Sequence, residues 1–251
     1  MELAEKRYAQ WLAQQGLEPE LRQELDAMHS DAEKVTDAFY RDLEFGTAGL
    51  RGVLGAGTNR MNIYVIRRAT QAVAQYLNET ELPKTVAIGH DSRIKSDVFA
   101  REAAAVFAAN GITAYLYPRL EPVPALSFAV RHLHCGLGVC VTASHNPAEY
   151  NGYKVYGSDG CQITQEAAES ITDCIEKVPY GAPKSMPEAE SRAAGLLRDV
   201  PEEIVDRFLE KTLSCRVAPE AEAPLHLIYT PLHGTGLEPV TKTFRRMKGI
   251  Q

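Results

Sequence analysis

A hydroxyl, an imidazole and an amide, those of Ser144, His145 and Asn146, follow closely on the apolar run Gly136-Leu137-Gly138-Val139-Cys140-Val141. That run reads as a buried strand, and Pro147 stops regular structure just after the polar residues. Asn151-Gly152-Tyr153-Lys154 comes next and adds an amine. Polar side chains at the mouth of a strand stand where α/β proteins carry out their chemistry. Ser-His-Asn alone says little, because Ser, Asn and Pro are ordinary turn formers. A protease-type relay is disfavoured. Neighbouring residues of an extended chain point to opposite sides, so only an unusual turn would bring the His145 imidazole onto the Ser144 hydroxyl.

The elements that must position this loop are legible from periodicity. Residues 1–41 are helical, with Tyr8, Trp11 and Leu12 on one face, then Leu21, Leu25 and Met28, then Val35, Ala38 and Phe39. Ser30 with Glu33 fits a capping box opening the third helix. This extension reads as a helical collar packed on the main domain rather than a partner-binding arm. Met61 to Leu77 is a core-facing helix through Ile63, Ile66, Ala69, Val73 and Leu77. Thr85 to Ile88 is a buried strand running on to Gly89 and Asp91. Ser96 is placed to cap an alanine-rich helix through Asn110, which Gly111 stops. A strand (Ile112 to Tyr117) and a helix (Pro124 to His132) precede the serine loop; a strand (Gly152 to Tyr156) and a helix (Thr164 to Lys177, with Ala168, Ile171 and Ile175 inward) follow it. Strand alternating with helix predicts a layered, mixed-sheet α/β domain with flanking helices over 42–180. Residues 181–200, rich in proline, glycine and charge, read as a linker. A helix from Pro201 to about Leu213, a strand from Leu225 to Tyr229 and a last helix after Gly236, cut off at Gln251, read as the start of a second α/β domain, 201–251.

Composition narrows the class. With 251 residues and 45% hydrophobic content the chain can bury a core and holds more than one domain. A net charge of -6 gives no basic field for nucleic acid. No apolar run reaches the roughly eighteen residues a spanning helix needs, and the N-terminus lacks a signal-peptide stretch, so no membrane partner is expected. The five cysteines are odd in number and contain no C-x-x-C pair. They read as reduced, mostly buried thiols of a cytoplasmic protein.

The full string Thr142-Ala-Ser-His-Asn-Pro-Ala-Glu-Tyr-Asn-Gly-Tyr-Lys-Val-Tyr156 closely resembles the active-site serine loop of the α-D-phosphohexomutases, the phosphoglucomutases and phosphomannomutases. Phe45-Gly-Thr-Ala-Gly-Leu-Arg51-Gly52 is similar to that family's N-terminal signature, Gly89-His-Asp91-Ser-Arg93 to its Gly-x-Asp-Ser/Thr-Arg segment, and Thr230-Pro-Leu-His233-Gly-Thr-Gly236 to the opening of its second domain. The helical lead-in is more like the phosphopentomutase and larger phosphoglucomutase branch. The resemblance implies an isomerase of carbohydrate metabolism, an intramolecular phosphotransferase acting on glucose or pentose phosphates through a phosphoserine and a bisphosphate intermediate. It implies Mg2+, held in part by the Ser144 phosphate, and glucose 1,6-bisphosphate as activator.

Residue by residue, the resemblance makes Ser144 the phosphoryl carrier and Lys154 the active-site lysine that passes the sugar hydroxyl's proton. Arg51 reaches the active site; its guanidinium keeps its charge and forks onto phosphate oxygens. His145 hydrogen-bonds the transferring phosphate, and Asn146 shapes the phosphate-binding loop, which Asn151 and Gly152 turn. Asp91 and Arg93 either pair with each other or line the site. His233 to Gly236 lacks the Walker lysine and reads as a structural turn or domain-interface contact. His132, His134 and His226 read as structural. The family's acidic Asp-x-Asp-x-Asp-Arg metal loop does not occur in these 251 residues, so the remaining Mg2+ ligands are expected beyond Gln251. The expectation is therefore an N-terminal portion of a mutase, inactive alone; the alternative is a non-catalytic phosphosugar-binding or interaction module.

Overall fold

A computed structural model describes residues 2–217 and 225–250. Three helices come first: α1 (Glu2–Ala13), α2 (Pro19–Met28) and α3 (Ala32–Phe39). They are followed by β1 (Gly49–Val53), α4 (Ile63–Glu79), β2 (Thr85–His90), α5 (Ser96–Ala109), β3 (Thr113–Leu116), α6 (Val123–His132), β4 (Leu137–Val141), β5 (Tyr150–Gly157) and α7 (Gln165–Lys177). The described chain closes with α8 (Glu188–Ala193), β6 (Leu197–Asp199), α9 (Glu202–Ser214) and α10 (Leu237–Arg245).

The six strands form one mixed sheet in the order β1-β5-β4-β2-β3-β6. The run β4-β2-β3-β6 is parallel, and β5 and β1 are added antiparallel. Side chains alternate across the sheet, so each strand feeds two cores. Val86, Ile88, Val139, Val141 and Tyr153 face α4, α5 and α7, while Ala87, Cys140 and Tyr156 face α6 and α9. All five residues of β4 are buried, as a near-continuous apolar run requires of a central parallel strand. The collar packs on the first core: Tyr8, Trp11, Leu21, Leu25, Val35, Ala38 and Phe39 are buried, with Leu12 and Met28 half-buried at its edge.

Several local expectations are corrected. Asp31, not Ser30, caps α3, its carboxylate accepting the Lys34 N–H at 3.0 Å. Ser96 is the first residue of α5 rather than its cap; Lys95 enters the helix in left-handed backbone (φ 62°), and the Ser96 hydroxyl turns to Asp91 Oδ1 at 2.7 Å. Asn62, which sequence reading passed over, caps α4 through Val65 N–H.

The 181–200 stretch is more than a linker. It carries α8 and β6, and β6 pairs in parallel with β3 as the sheet's edge, Ala114 opposite Leu197. A three-residue strand is too short for periodicity to show. α9 follows and packs on α6 through Ile204 and Val205, so the second helical layer runs on to Ser214. Leu225 to Tyr229 has a single bridge, Leu225 to Ile250, instead of the expected strand, because no other described strand lies beside it. Residues 218–224 of the expected second region, and Gln251 at its end, fall outside the described residues. The cysteines, all free, divide differently from expectation: Cys135 and Cys140 are buried, Cys174 is half-buried, and Cys161 and Cys215 are exposed.

Candidate active site

β2 and β4 end level with one another, His90 opposite Val141, so the segments that follow both strands meet at one edge of the sheet. Thr142 and Ala143 remain buried; Ser144 is exposed. Ser144 adopts left-handed backbone at φ 56°, a conformation that costs an ordinary residue about 1–2 kcal/mol. Its N–H donates to Thr142 Oγ1 at 2.9 Å, and Asn146 N–H closes the turn on Ala143 O at 3.2 Å. This is the unusual turn that extended chain would forbid. It sets the His145 Nδ1 3.4 Å from the Ser144 Oγ, beside the hydroxyl but long for a proton-transfer contact.

Arg51 arrives from β1. Its register opposite Gly152 places it on the sheet face shared with Lys154 and Cys140, and its Nη1 donates to Asn146 Oδ1 at 2.9 Å. Gly152 does not turn the loop but permits close approach: a Cβ there would lie 2.6 Å from Thr142 O and 2.9 Å from Leu50 O. Asn151 likewise is a buried strand residue, donating to Ser96 Oγ and to Ile94 O, both at 3.0 Å. Lys154 is half-buried on β5, opposite Gly49 and Cys140, and makes no ion pair among the described residues, which leaves its ammonium free for a ligand.

A cavity of about 590 Å3 opens beside the serine loop, walled by Ser144, Asn146, Arg93, Cys140, Glu121 and His233 among others. Ser144 and Asn146 thus line it; Arg51 is joined to it through Asn146, and His145 and Lys154 stand outside its walls. Burial pushes the Cys140 thiol up to about 12, which makes it an inert wall rather than a nucleophile. Asp91 and Arg93 do both of the things left open. They approach each other (Nε to Oδ2 3.6 Å) and both line the cavity. Across the cavity the Ser92 hydroxyl donates to His233 O, so the His233-Gly234-Thr235 turn is an interface contact. His132, stacked on Phe128 at 3.7 Å, is structural.

Glu121 is the wall residue sequence reading missed. It is buried, with Oε1 3.2 Å from Arg119 Nε and Oε2 without a hydrogen-bond partner among the described residues. Burial raises its carboxyl above the usual range, and Arg119 opposes the shift. An acidic residue between Leu120 and Pro122 carries no periodic signal of burial.

The residues around Ser144 do not by themselves make a Mg2+ site. Among the described residues no three His, Cys, Asp or Glu side chains gather to hold a metal ion, and the Asp91 carboxylate on the cavity wall is occupied by Arg93 and Ser96.

Residues 42–181 match the family model described as phosphoglucomutase/phosphomannomutase, alpha/beta/alpha domain I. A Schizosaccharomyces pombe protein named as a probable phosphoribomutase is 41% identical, over 78% of this chain and 34% of its own length. A Staphylococcus aureus phosphoglucomutase is 37% identical, over 80% of this chain and 36% of its own. The crystal structure of a phosphomannomutase-type protein from Thermus thermophilus superposes with a TM-score of 0.68 at 25% identity, covering 84% of this chain and 45% of that one. The chain spans about a third of the length of the two curated relatives. The chain belongs to the phosphoglucomutase/phosphomannomutase family, and residues 42–181 are its alpha/beta/alpha domain I.

Proposed function

We propose that the protein serves a phosphosugar mutase reaction, interconverting a sugar 1-phosphate and its 6- (or 5-) phosphate, with Ser144 as the phosphoryl carrier. The observation that carries this reading is an exposed serine hydroxyl held in a left-handed turn at the end of a fully buried strand, on the wall of a sugar-sized cavity. In the first transfer the bond from phosphorus to Ser144 Oγ breaks, a bond from phosphorus to the sugar hydroxyl oxygen forms, the hydroxyl gives up its proton, and the Ser144 oxygen takes one up to become a hydroxyl again. The resulting bisphosphate reorients and returns its other phosphoryl group to Ser144 by the reverse step. Such transfers are driven by positioning and by neutralising phosphate charge.

Arg51, tied to the loop through Asn146, supplies a permanent cation beside the phosphoryl group. His145 lies close enough to Ser144 Oγ to donate to a phosphate oxygen built on it. Lys154, with no ion pair among the described residues, takes the sugar hydroxyl's proton as the free amine and returns it as the ammonium. Mg2+ is the metal implied by the family, and the Ser144 phosphate would contribute to its ligands. Glucose and pentose phosphates are the favoured substrates, supported by the phosphoglucomutase and phosphoribomutase names of the relatives. The five unpaired cysteines support action in the cytoplasm. The first structural unit runs from the collar through α9, because β6 and α9 complete its sheet and its second helical layer.

The test is mass spectrometry on the protein expressed from its complete reading frame. Incubated with glucose 1,6-bisphosphate and Mg2+, it should gain one phosphoryl group on Ser144, and Ser144→Ala should gain none. An unmodified wild-type serine, or labelling that survives Ser144→Ala, overturns the proposal; binding without transfer would identify a phosphosugar-binding module instead.

A further inference from the structure

We propose that Arg93 is a positioning residue for phosphoryl transfer: its guanidinium is the core around which the serine loop is wound, and it holds Ser144 in its left-handed turn. The inference rests on Ser144 being the phosphoryl carrier. Four carbonyl oxygens of the loop converge on this one side chain. Nη1 donates to Pro147 O at 2.8 Å and to Tyr150 O at 3.0 Å; Nη2 donates to Ser144 O at 2.8 Å and also to Asn146 O. The remaining donor, Nε, faces Asp91 Oδ2 at 3.6 Å. All five N–H groups of the guanidinium are thereby directed, and the side chain is only 13% exposed.

The anchor behind it is equally complete. Asp91 Oδ1 accepts the Arg93 N–H at 3.0 Å and the Ser96 hydroxyl at 2.7 Å, and Ser96 Oγ accepts Asn151 Nδ2 at 3.0 Å. One polar chain therefore joins the end of β2, the start of α5, β5 and the serine loop. A non-glycine residue stays in left-handed backbone only where its surroundings over-determine it. Within the loop two bonds flank Ser144, from Ser144 N–H to Thr142 Oγ1 and from Asn146 N–H to Ala143 O, and a third, from Tyr150 N–H to Pro147 O, lies further on. Arg93 adds four from beneath. It binds carbonyls and not the phosphoryl group, and so acts through Ser144. A lysine would keep the charge but radiate three donors from one atom, and cannot span four carbonyls as the planar fork does.

Two measurements on the complete-reading-frame protein test this, with Arg93→Lys and Arg93→Ala. The first needs no activity. Amide hydrogen exchange across residues 144–150 should be roughly tenfold faster in both variants, as expected when a local unit loses its tether. The second is the single-turnover rate of Ser144 phosphorylation by glucose 1,6-bisphosphate, which should fall about 100-fold in Arg93→Lys while the bisphosphate's Kd changes little. Added guanidinium, but not ammonium, should recover part of the Arg93→Ala rate. Wild-type exchange in the variants, or wild-type rates in them, overturns the role of Arg93. A wild-type protein that takes up no phosphoryl group defeats the carrier reading, while the exchange result still decides whether Arg93 holds the loop.

Discussion

At the scale of a single residue, Glu121 is the least comfortable group in the site. Its Oε2 has no hydrogen-bond partner among the described residues, and Arg119, with a smaller contribution from Lys242, offsets the burial of its charge. Burial places its folded pKa above the unfolded one, so folding favours the protonated form. The stability contributed by that proton is fully present below the unfolded carboxylate pKa and is lost as pH rises through the folded value. Above that folded value the wild type carries a buried charge at a cost. Glu121→Gln keeps an acceptor for Arg119 and removes the charge, and is expected to stabilise the fold by about 1 kcal/mol at pH 7. The gain should shrink to nothing as the pH falls through the carboxylate range. Urea unfolding at both pH values decides it, and a variant less stable at pH 7 would sink the idea. The sequence showed Ser144, Lys154 and Arg51 as chemistry-bearing residues through their motifs. It was silent on Glu121, because burial of a loop carboxylate depends on what packs over it.

At the scale of elements, an aromatic cluster and an ion-pair cluster are among the contacts that join the collar to the α/β core. Trp11 meets Phe39, Tyr64 and Tyr180 edge-on, with centroids 5.7, 5.6 and 5.7 Å away. It thus links α1 to α3, to α4 and to the chain after α7. Beside it, Arg68 stacks 4.6 Å from the Tyr180 ring and donates to Asp42 Oδ2 at 2.6 Å and to Val178 O at 2.7 Å, while Arg7 reaches Asp42 Oδ1 at 3.2 Å. Trp11→Ala should cost about 3–5 kcal/mol in urea unfolding, the usual loss for a buried large aromatic. A loss below about 1 kcal/mol would mean that the collar is not part of the core. The inward faces of α1, α3 and α4 were legible from the sequence because burial of a helix follows its own period. The partners of Trp11 were not, since Tyr64 and Tyr180 come from distant stretches.

At the scale of the whole molecule, α10 is held to α9 and to the loop after β3 by charge. Arg119 Nε lies 2.9 Å from Glu238 and its Nη2 2.9 Å from Glu202; Lys242 meets Glu202 at 2.7 Å, and Arg246 pairs with Asp206. These groups are partly exposed, and such pairs are worth about 0.2–1 kcal/mol each and weaken with salt. Arg246→Ala, which removes only the partly exposed pair with Asp206, is therefore expected to speed amide exchange across α10 while moving the unfolding midpoint of the sheet little, and high salt should do the same to the wild type. Unchanged exchange in α10 would show that the ion pairs do not hold it. The sequence by itself determined the layered α/β class, the buried strands β2 and β4, the inward helix faces and the serine loop, because each is written in a local period or a contiguous motif. Tertiary structure alone decided that β6 closes the sheet edge, that Ser144 turns left-handed, and that four loop carbonyls close on Arg93. Those depend on the level register of β2 and β4, which brings residues some fifty positions apart into hydrogen-bonding distance, and no local pattern encodes a register between distant strands.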